Sequence, residues 1–203
     1  MSIGNYFKKA AYIGLAGAVL CVGWDLARDI SKHFEKINHY RNMSYQEVIA
    51  EIDTPQEAEW YVRNYIIPKE KIRMDSFRLI HQNRVGDCAE ATVAAAALLS
   101  DDGFPPTYLD MRNENQEVGH AVFVYQSNGK WGTIGINSSD NQSPRFNSLE
   151  EIARHHGFEK YRLGTIGEGG IILDWITTGR DLVFSEGEEA RIDLEAGYKR
   201  VSK

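Results

Sequence analysis

The sequence predicts an α+β fold, because helix signals fill its first half and strand signals follow. Residues 87–100 form an alanine-rich segment that is apolar nearly all round, which is typical of a helix in the middle of a domain. Residues 119–126 and 130–137 have the pattern of two strands, and the Asn128-Gly129 pair between them is a strong signal for a two-residue hairpin. The sequence therefore predicts one buried helix and one antiparallel hairpin.

Composition and charge narrow the class of protein. The chain has 203 residues, 42% hydrophobic and 26% charged, which suits a single globular domain of ordinary composition. A net charge of −6 lacks the basic footprint of a nucleic-acid binder, so we expect no nucleic-acid partner. Two cysteines are too few for a disulfide framework or a four-thiolate zinc site. We expect no metal and no cofactor.

The first 53 residues are predicted to form an N-terminal helical segment. Within it, residues 10–24 are uncharged and mostly apolar, and they follow Lys8 and Lys9. As a helix this run reaches about 22 Å, short of the ~30 Å hydrocarbon core of a bilayer. Two interpretations stay open: a helix packed in the core, or a membrane tether or signal that brings residues 10–24 to a membrane. The expected location is cytoplasmic or membrane-associated, with secretion left open.

Two helix starts follow. Ser44 and Glu47 have the spacing of a capping box. Thr54-Pro55 begins a second helix, because threonine caps well and proline suits the first helical position. That helix is predicted to run to about Tyr65, and another short helix is predicted over residues 74–81.

The second half of the chain adds a strand, a helix and an extended stretch. Residues 108–111 are a short strand candidate, and a capping box at Ser148 starts a helix. Residues 161–176 are glycine-rich and are predicted to be extended. The predicted organisation is an N-terminal segment (residues 1–53), a domain (54–184) and a polar C-terminal tail (185–203).

Cys88 is the candidate nucleophile. It follows Asp87, which occupies the predicted cap position of the buried helix. Unpaired backbone N–H groups and partial positive charge at a helix N-terminus favour a thiolate over a thiol. The negative charge of Asp87 acts in the opposite direction. A buried cysteine that serves only as a small apolar residue is the alternative interpretation.

His120 is the candidate base, and the hairpin predicts its partner. With a two-residue turn Ser127 faces Lys130, and continuing the register makes His120 face Asn137. Directly opposed residues have Cβ atoms about 4.5–5.5 Å apart, so the Asn137 oxygen could accept from one ring nitrogen and leave the other for the thiol. Asp140 is the rival, if a bulge or loop brings it to the ring.

Candidate oxyanion donors lie near the nucleophile. The backbone N–H of Cys88 is available by its position at the helix start. Gln82, six residues earlier, could add a side-chain amide, although an exposed glutamine is the simpler interpretation.

Two segments carry a resemblance to a known family. Residues 84–106 begin Arg-Val-Gly-Asp-Cys-Ala-Glu, and residues 119–131 contain Gly-His-Ala-Val-Phe-Val-Tyr and then Asn-Gly-Lys-Trp. In order and spacing they resemble the cysteine and histidine segments of transglutaminase-like domains, in the papain-like cysteine protease superfamily. The resemblance covers about residues 54–140. It implies a papain-like α+β fold, in which a helix carrying the cysteine packs on an antiparallel sheet carrying the histidine and an acidic partner.

The chain departs from the family pattern at the third member of the triad. The usual aspartate falls four residues after a tryptophan like Trp131, and that position is Gly135 here. Asn137 is therefore taken as the substitute. The leading hypothesis is a cysteine-dependent peptidase or amidase that acts on a peptide or protein substrate through an acyl-enzyme. The alternatives are a catalytically inactive binding or scaffold protein of this fold, a transglutaminase, and a membrane-tethered processing factor.

Overall fold

A computed structural model describes residues 27–70, 75–114 and 119–166, together with the backbone of residues 172–175 and 199–200. The predictions for residues 10–24, and all of those for the tail except the backbone of 199–200, lie outside the described residues. The chain divides into two compact units after Asn42. In the first unit, residues 27–41 form helix α1. None of the helices among the described residues has both the length and the apolar character needed to cross a bilayer.

Among the described residues, the second unit contains five α-helices, and each follows a serine, threonine or aspartate in the N-cap position. Ser44 makes the predicted capping box with Glu47, and Thr54 accepts from the Glu57 amide, so both predicted helix starts are confirmed. The helix predicted from residue 74 begins three residues later, after Ser76. The helices are α2 (Tyr45–Glu51), α3 (Pro55–Tyr65), α4 (Phe77–Asn83), α5 (Cys88–Leu98) and α6 (Leu149–His155).

The strands form a short parallel pair and one antiparallel sheet. The parallel pair is β1 (Ile67–Pro68) with β2 (Val85–Gly86). The sheet has the order β6-β5-β4-β3-β7-β8, and β9 also pairs with β7. Its strands are β3 (Thr107–Arg112), β4 (His120–Ser127), β5 (Lys130–Ile134), β6 (Gln142–Phe146), β7 (Lys160–Ile166), β8 (Ile172–Trp175) and β9 (Lys199–Arg200).

The predicted hairpin register is confirmed, but β5 is shorter than predicted. Ser127 pairs with Lys130, and the last pair of the ladder joins Phe123 to Ile134. Asn128 and Gly129 both have positive φ, which is the conformation that a tight hairpin turn of this kind requires. The chain leaves the ladder after Ile134 and enters a short 3-10 turn over Ser138–Asp140. This early exit decides which residue reaches His120.

Helix α5 lies at the centre of the unit, as its composition predicts. Most of its side chains are buried, and it contacts β4 as well as α2, α3 and α4. Val122 and Val124 of β4 belong to an apolar cluster that includes Ile152 and Ala153 of α6. Because side chains alternate along a strand, buried Phe123 faces the other side of the sheet. Helices packed on an antiparallel sheet make this an α+β fold, as predicted.

Candidate active site

Cys88 is the first residue of α5 and carries a partly exposed free thiol. Asp87 caps the helix by accepting from the backbone N–H of Ala89 at 2.8 Å and of Glu90 at 3.4 Å. The Glu90 side chain completes the capping box, since it accepts from the Asp87 amide at 3.0 Å. The cap therefore holds the backbone on both sides of the cysteine.

Glu90 also anchors the segments that lead to the cysteine. Its buried carboxylate accepts from the Asp75 amide at 3.2 Å. Burial raises the pKa of Glu90 to about 7, and the hydrogen bond with the Asp87 side chain acts in the same direction. A Cβ on Gly86 would lie 2.6 Å from the Glu90 Cβ, so only glycine lets β2 pass this close to the helix. These contacts set where the thiol stands.

His120 begins β4 and is paired with Met111 on β3. The preceding Gly119 lies against β3, where an added Cβ would be 2.7 Å from the Met111 carbonyl oxygen. The His120 Nε2 lies 3.0 Å from Asp140 Oδ1, and the Cys88 side chain is close enough to act on the charge of the ring. The structure thus brings together the predicted nucleophile and the predicted base.

The electrostatics favour a charged imidazole. Burial lowers the pKa of His120, but the hydrogen bonds and charges of Asp140 and Cys88 outweigh it and raise that pKa to about 10. Burial also raises the pKa of Asp140, yet its hydrogen bond and charge interaction with His120 hold it below its ordinary value. The raised pKa of His120 and the lowered pKa of Asp140 both indicate an imidazolium beside a carboxylate at neutral pH.

The structure assigns the contact with His120 to Asp140, where the sequence analysis preferred Asn137. Because the ladder ends at Ile134, Asn137 does not continue the pairing toward His120. It is instead the cap residue of the 3-10 turn, where its backbone carbonyl oxygen accepts from the Asp140 backbone N–H at 3.0 Å. The Asn137 amide donates to Asp140 Oδ2 at 3.0 Å. Asn137 therefore holds Asp140, and Asp140 holds the ring.

Gly135 explains how an aspartate from the turn reaches the site. A Cβ on Gly135 would lie 2.6 Å from the Asp140 Cβ, so the missing side chain makes room for that carboxylate. Asn141 fixes the turn over the strand end, because its Oδ1 accepts from the Gly135 amide at 3.1 Å and its Nδ2 donates to the Gly135 oxygen at 3.1 Å. Asp140 thus reaches the space beside Gly135 from five residues further along the chain.

His156 is a site neighbour that the sequence analysis did not select. It follows α6, and its Nδ1 lies 3.8 Å from Asp140 Oδ1. Its ring is 5.8 Å from the His120 ring, centroid to centroid. Burial lowers the pKa of His156 to about 4 although Asp140 acts to raise it, so its imidazole is neutral at pH 7. No local pattern in the sequence links His156 to residues on β4 or in the turn.

Gln82, the second predicted oxyanion donor, is exposed in the last turn of α4. Among the described residues, no hydrogen bond joins its side chain to Cys88. Its part in the site stays a prediction.

The arrangement can support nucleophilic chemistry and can also hold a cation. A thiol, an imidazole and a carboxylate lie beside one another in that order, as nucleophilic catalysis by cysteine requires. The side-chain nitrogen or oxygen atoms of His120, Asp140 and His156 lie within 4.8 Å of one another.

Scanning the chain against family models and searching the curated proteins with it both returned no match.

Proposed function

We propose that the chain is a cysteine-dependent hydrolase of peptide or amide bonds, with the catalytic arrangement of transglutaminase-like, papain-like enzymes. The observation that carries the proposal is the placement of His120 beside the Cys88 side chain, with its Nε2 at 3.0 Å from the Asp140 carboxylate. Because Asp140 occupies Nε2, Nδ1 is the nitrogen left to exchange a proton with the thiol. A helix that carries the cysteine and packs on an antiparallel sheet that carries the histidine further supports the papain-like assignment.

In the first step, Cys88 Sγ attacks the substrate carbonyl carbon and forms a C–S bond. The imidazolium of His120 gives its Nδ1 proton to the leaving nitrogen as the C–N bond breaks, which leaves an acyl-enzyme. In the second step a water attacks the thioester and gives one proton to His120. The C–S bond then breaks, which releases the carboxylic acid and restores the thiolate–imidazolium pair of the enzyme.

Asp140 and the start of α5 stabilise the charges that develop during the reaction. The Asp140 carboxylate keeps the ring oriented and stabilises its positive charge, as the third member of such triads does. The Asp87 side chain takes the amides of Ala89 and Glu90, so the Cys88 N–H is the backbone donor we assign to the oxyanion. Transamidation would need an amine in place of water. We propose hydrolysis because water is always present.

The test is the alkylation rate of Cys88 by iodoacetamide in a Cys21→Ala chain, measured from pH 5.5 to 9.5. His120→Ala is expected to reduce the rate at pH 6.5 by at least about tenfold, because an imidazolium partner favours the reactive thiolate. The matched control is His155→Ala, which removes an exposed histidine outside the proposed triad. Equal rates in all three chains across the pH range would refute the proposal and favour a binding or scaffold role.

A positive result leads to a substrate assay on the same chains. Peptide and amide libraries are screened for release of amine, and the acyl-enzyme is trapped on Cys88 and weighed by mass spectrometry. We expect a covalent adduct on Cys88 that is absent from the His120→Ala chain. Turnover that persists in a Cys88→Ala chain would contradict the proposed mechanism.

A further inference from the structure

Three side chains from separate elements converge on one point beside the proposed triad. They are His120 at the start of β4, Asp140 in the 3-10 turn and His156 after α6. His120 Nε2 is 3.0 Å and His156 Nδ1 is 3.8 Å from the same oxygen, Asp140 Oδ1. Ligand atoms on a tetrahedral zinc ion with bonds of about 2.1 Å stand about 3.4 Å apart, so the two distances lie on either side of that spacing.

His156 is buried without the partners that a buried imidazole normally has. Its side chain is only 7% exposed. The 3.8 Å from Nδ1 to Asp140 is too long for a hydrogen bond. Its Nε2 is also buried, and no described residue hydrogen bonds to it. Burying a polar group unsatisfied costs free energy. A cation at Nδ1 would give this ring a bond that the 3.8 Å contact with Asp140 does not provide.

We propose that His120, Asp140 and His156 bind a Zn²⁺ ion through Nε2, Oδ1 and Nδ1. Two imidazole nitrogens and one carboxylate oxygen are a donor set that zinc commonly takes, with a fourth position left for water. The ligands come from three elements that the packed sheet and α6 hold together, so the site exists only in the folded chain.

Zinc in this site blocks the cysteine chemistry, an effect that rests on the function proposed above. To bind zinc, Nε2 of His120 must release its proton to solvent. The remaining ring proton then stays on Nδ1, which has no lone pair to accept the proton of Cys88. Asp140 is drawn to the metal and no longer stabilises an imidazolium. Zinc is therefore a reversible inhibitor of the proposed enzyme.

Binding is tested by calorimetric titration of zinc into a chain with both thiols removed (Cys21→Ala, Cys88→Ser). We expect one ion per chain, and we expect His156→Gln to weaken binding by at least about tenfold, since even loss of an outer-shell partner costs 10- to 100-fold. His155→Gln is the matched control, because it changes the adjacent exposed histidine, and it should bind as the parent does. No binding to the parent, or equal binding in His156→Gln, would overturn the site.

A second measurement does not depend on the folding of His156→Gln. X-ray absorption at the zinc edge of the zinc-loaded thiol-free chain is expected to show two imidazole ligands. One imidazole ligand or none would overturn the proposed donor set.

The blocking effect is tested on the Cys21→Ala chain, which keeps Cys88. Saturating zinc should slow alkylation by at least about tenfold, and should change the rate of the His156→Gln chain far less, because that chain binds zinc more weakly. Equal slowing in both chains under the same zinc concentration would show zinc on the thiol and overturn the inhibition. Zinc bound as proposed, with alkylation indifferent to His120→Ala, would refute the proposed function and leave the metal site standing. Alkylation that depends on His120, in a chain that does not bind zinc, would refute the metal site and leave the proposed function standing.

Discussion

Asp140 is the residue on which the site depends most directly, because each of its oxygens has its own partner. Oδ1 contacts His120 at 3.0 Å, and Oδ2 accepts from the Asn137 amide at 3.0 Å. The side chain is 3% exposed, so little water competes for either oxygen. One carboxylate thereby fixes the ring orientation of His120 and ties it to the turn.

Asp140→Asn should lower the pKa of His120 from about 10, because it removes a charge and alters a hydrogen bond that favour the imidazolium. The titration of His120 is followed by NMR, and Cys88 alkylation at pH 7 should fall by at least about tenfold, as loss of such a carboxylate reduces catalysis severely in related triads. Asn137→Ala should have a smaller effect on both readouts, since Asn137 contacts Asp140 through its backbone N–H and carbonyl, which alanine keeps. An unchanged His120 titration in Asp140→Asn would exclude Asp140 as the third member.

At the scale of elements, the end of β5 and the turn after it together position Asp140. The strand stops at Ile134, and Gly135 leaves the space that Asp140 fills. Asn141 binds both backbone groups of Gly135, and Thr133 donates its hydroxyl to the Asp140 carbonyl at 2.5 Å. These three hydrogen bonds hold the turn to the end of β5 after the ladder has ended.

Gly135→Ala should push Asp140 away from His120, because the new Cβ would be 2.6 Å from the Asp140 Cβ. Overpacking of this kind costs about 1–3 kcal/mol of unfolding free energy, and we expect the alkylation rate of Cys88 to fall with it. Gly132→Ala is the control on the same strand, since its Cβ would meet the Tyr125 ring at 2.6 Å, away from the triad. Urea unfolding and alkylation are measured on both. Full reactivity in Gly135→Ala would show that Asp140 does not depend on this contact.

At the scale of the whole molecule, two histidines give stability opposite dependences on pH. His156 has a folded pKa of about 4 against an ordinary value of 6.5, so the unfolded chain takes up its proton first as the pH falls. Its contribution to unfolding free energy is lost as the pH falls from 6.5 toward 4. His120 has a folded pKa of about 10, so its contribution is complete below 6.5 and is lost as the pH rises through 10.

The free energy of unfolding should therefore decline on both sides of about pH 6.5 as far as these two groups determine it. His156→Gln should flatten the decline between pH 6.5 and 4, and His120→Gln should flatten the decline on the alkaline side. Urea unfolding at pH 4 to 10 measures both slopes. An acid slope that is unchanged in His156→Gln would contradict the role assigned to that residue.

Much of the fold follows from signals that lie within a few residues of one another. The cap at Ser44, the Thr54-Pro55 start and the Asn-Gly turn each act through short-range hydrogen bonds or backbone conformation, and each is observed where predicted. The buried character of α5 follows from its composition. Cys88 and His120 could be selected for the same reason, since one begins a capped helix and the other begins a strand.

By itself the sequence determined the α+β class, the central helix, the hairpin register and the pair Cys88 and His120. The tertiary structure alone decided that Asp140 contacts the ring, that Asn137 supports Asp140, and that His156 joins them. The physical reason is the range of the interactions. Caps, turns and periodicity are set by neighbours along the chain, whereas the end of β5 and the approach of α6 depend on how distant segments pack. A ladder register can be extended on paper past Ile134, but only packing determines where the strand leaves the sheet.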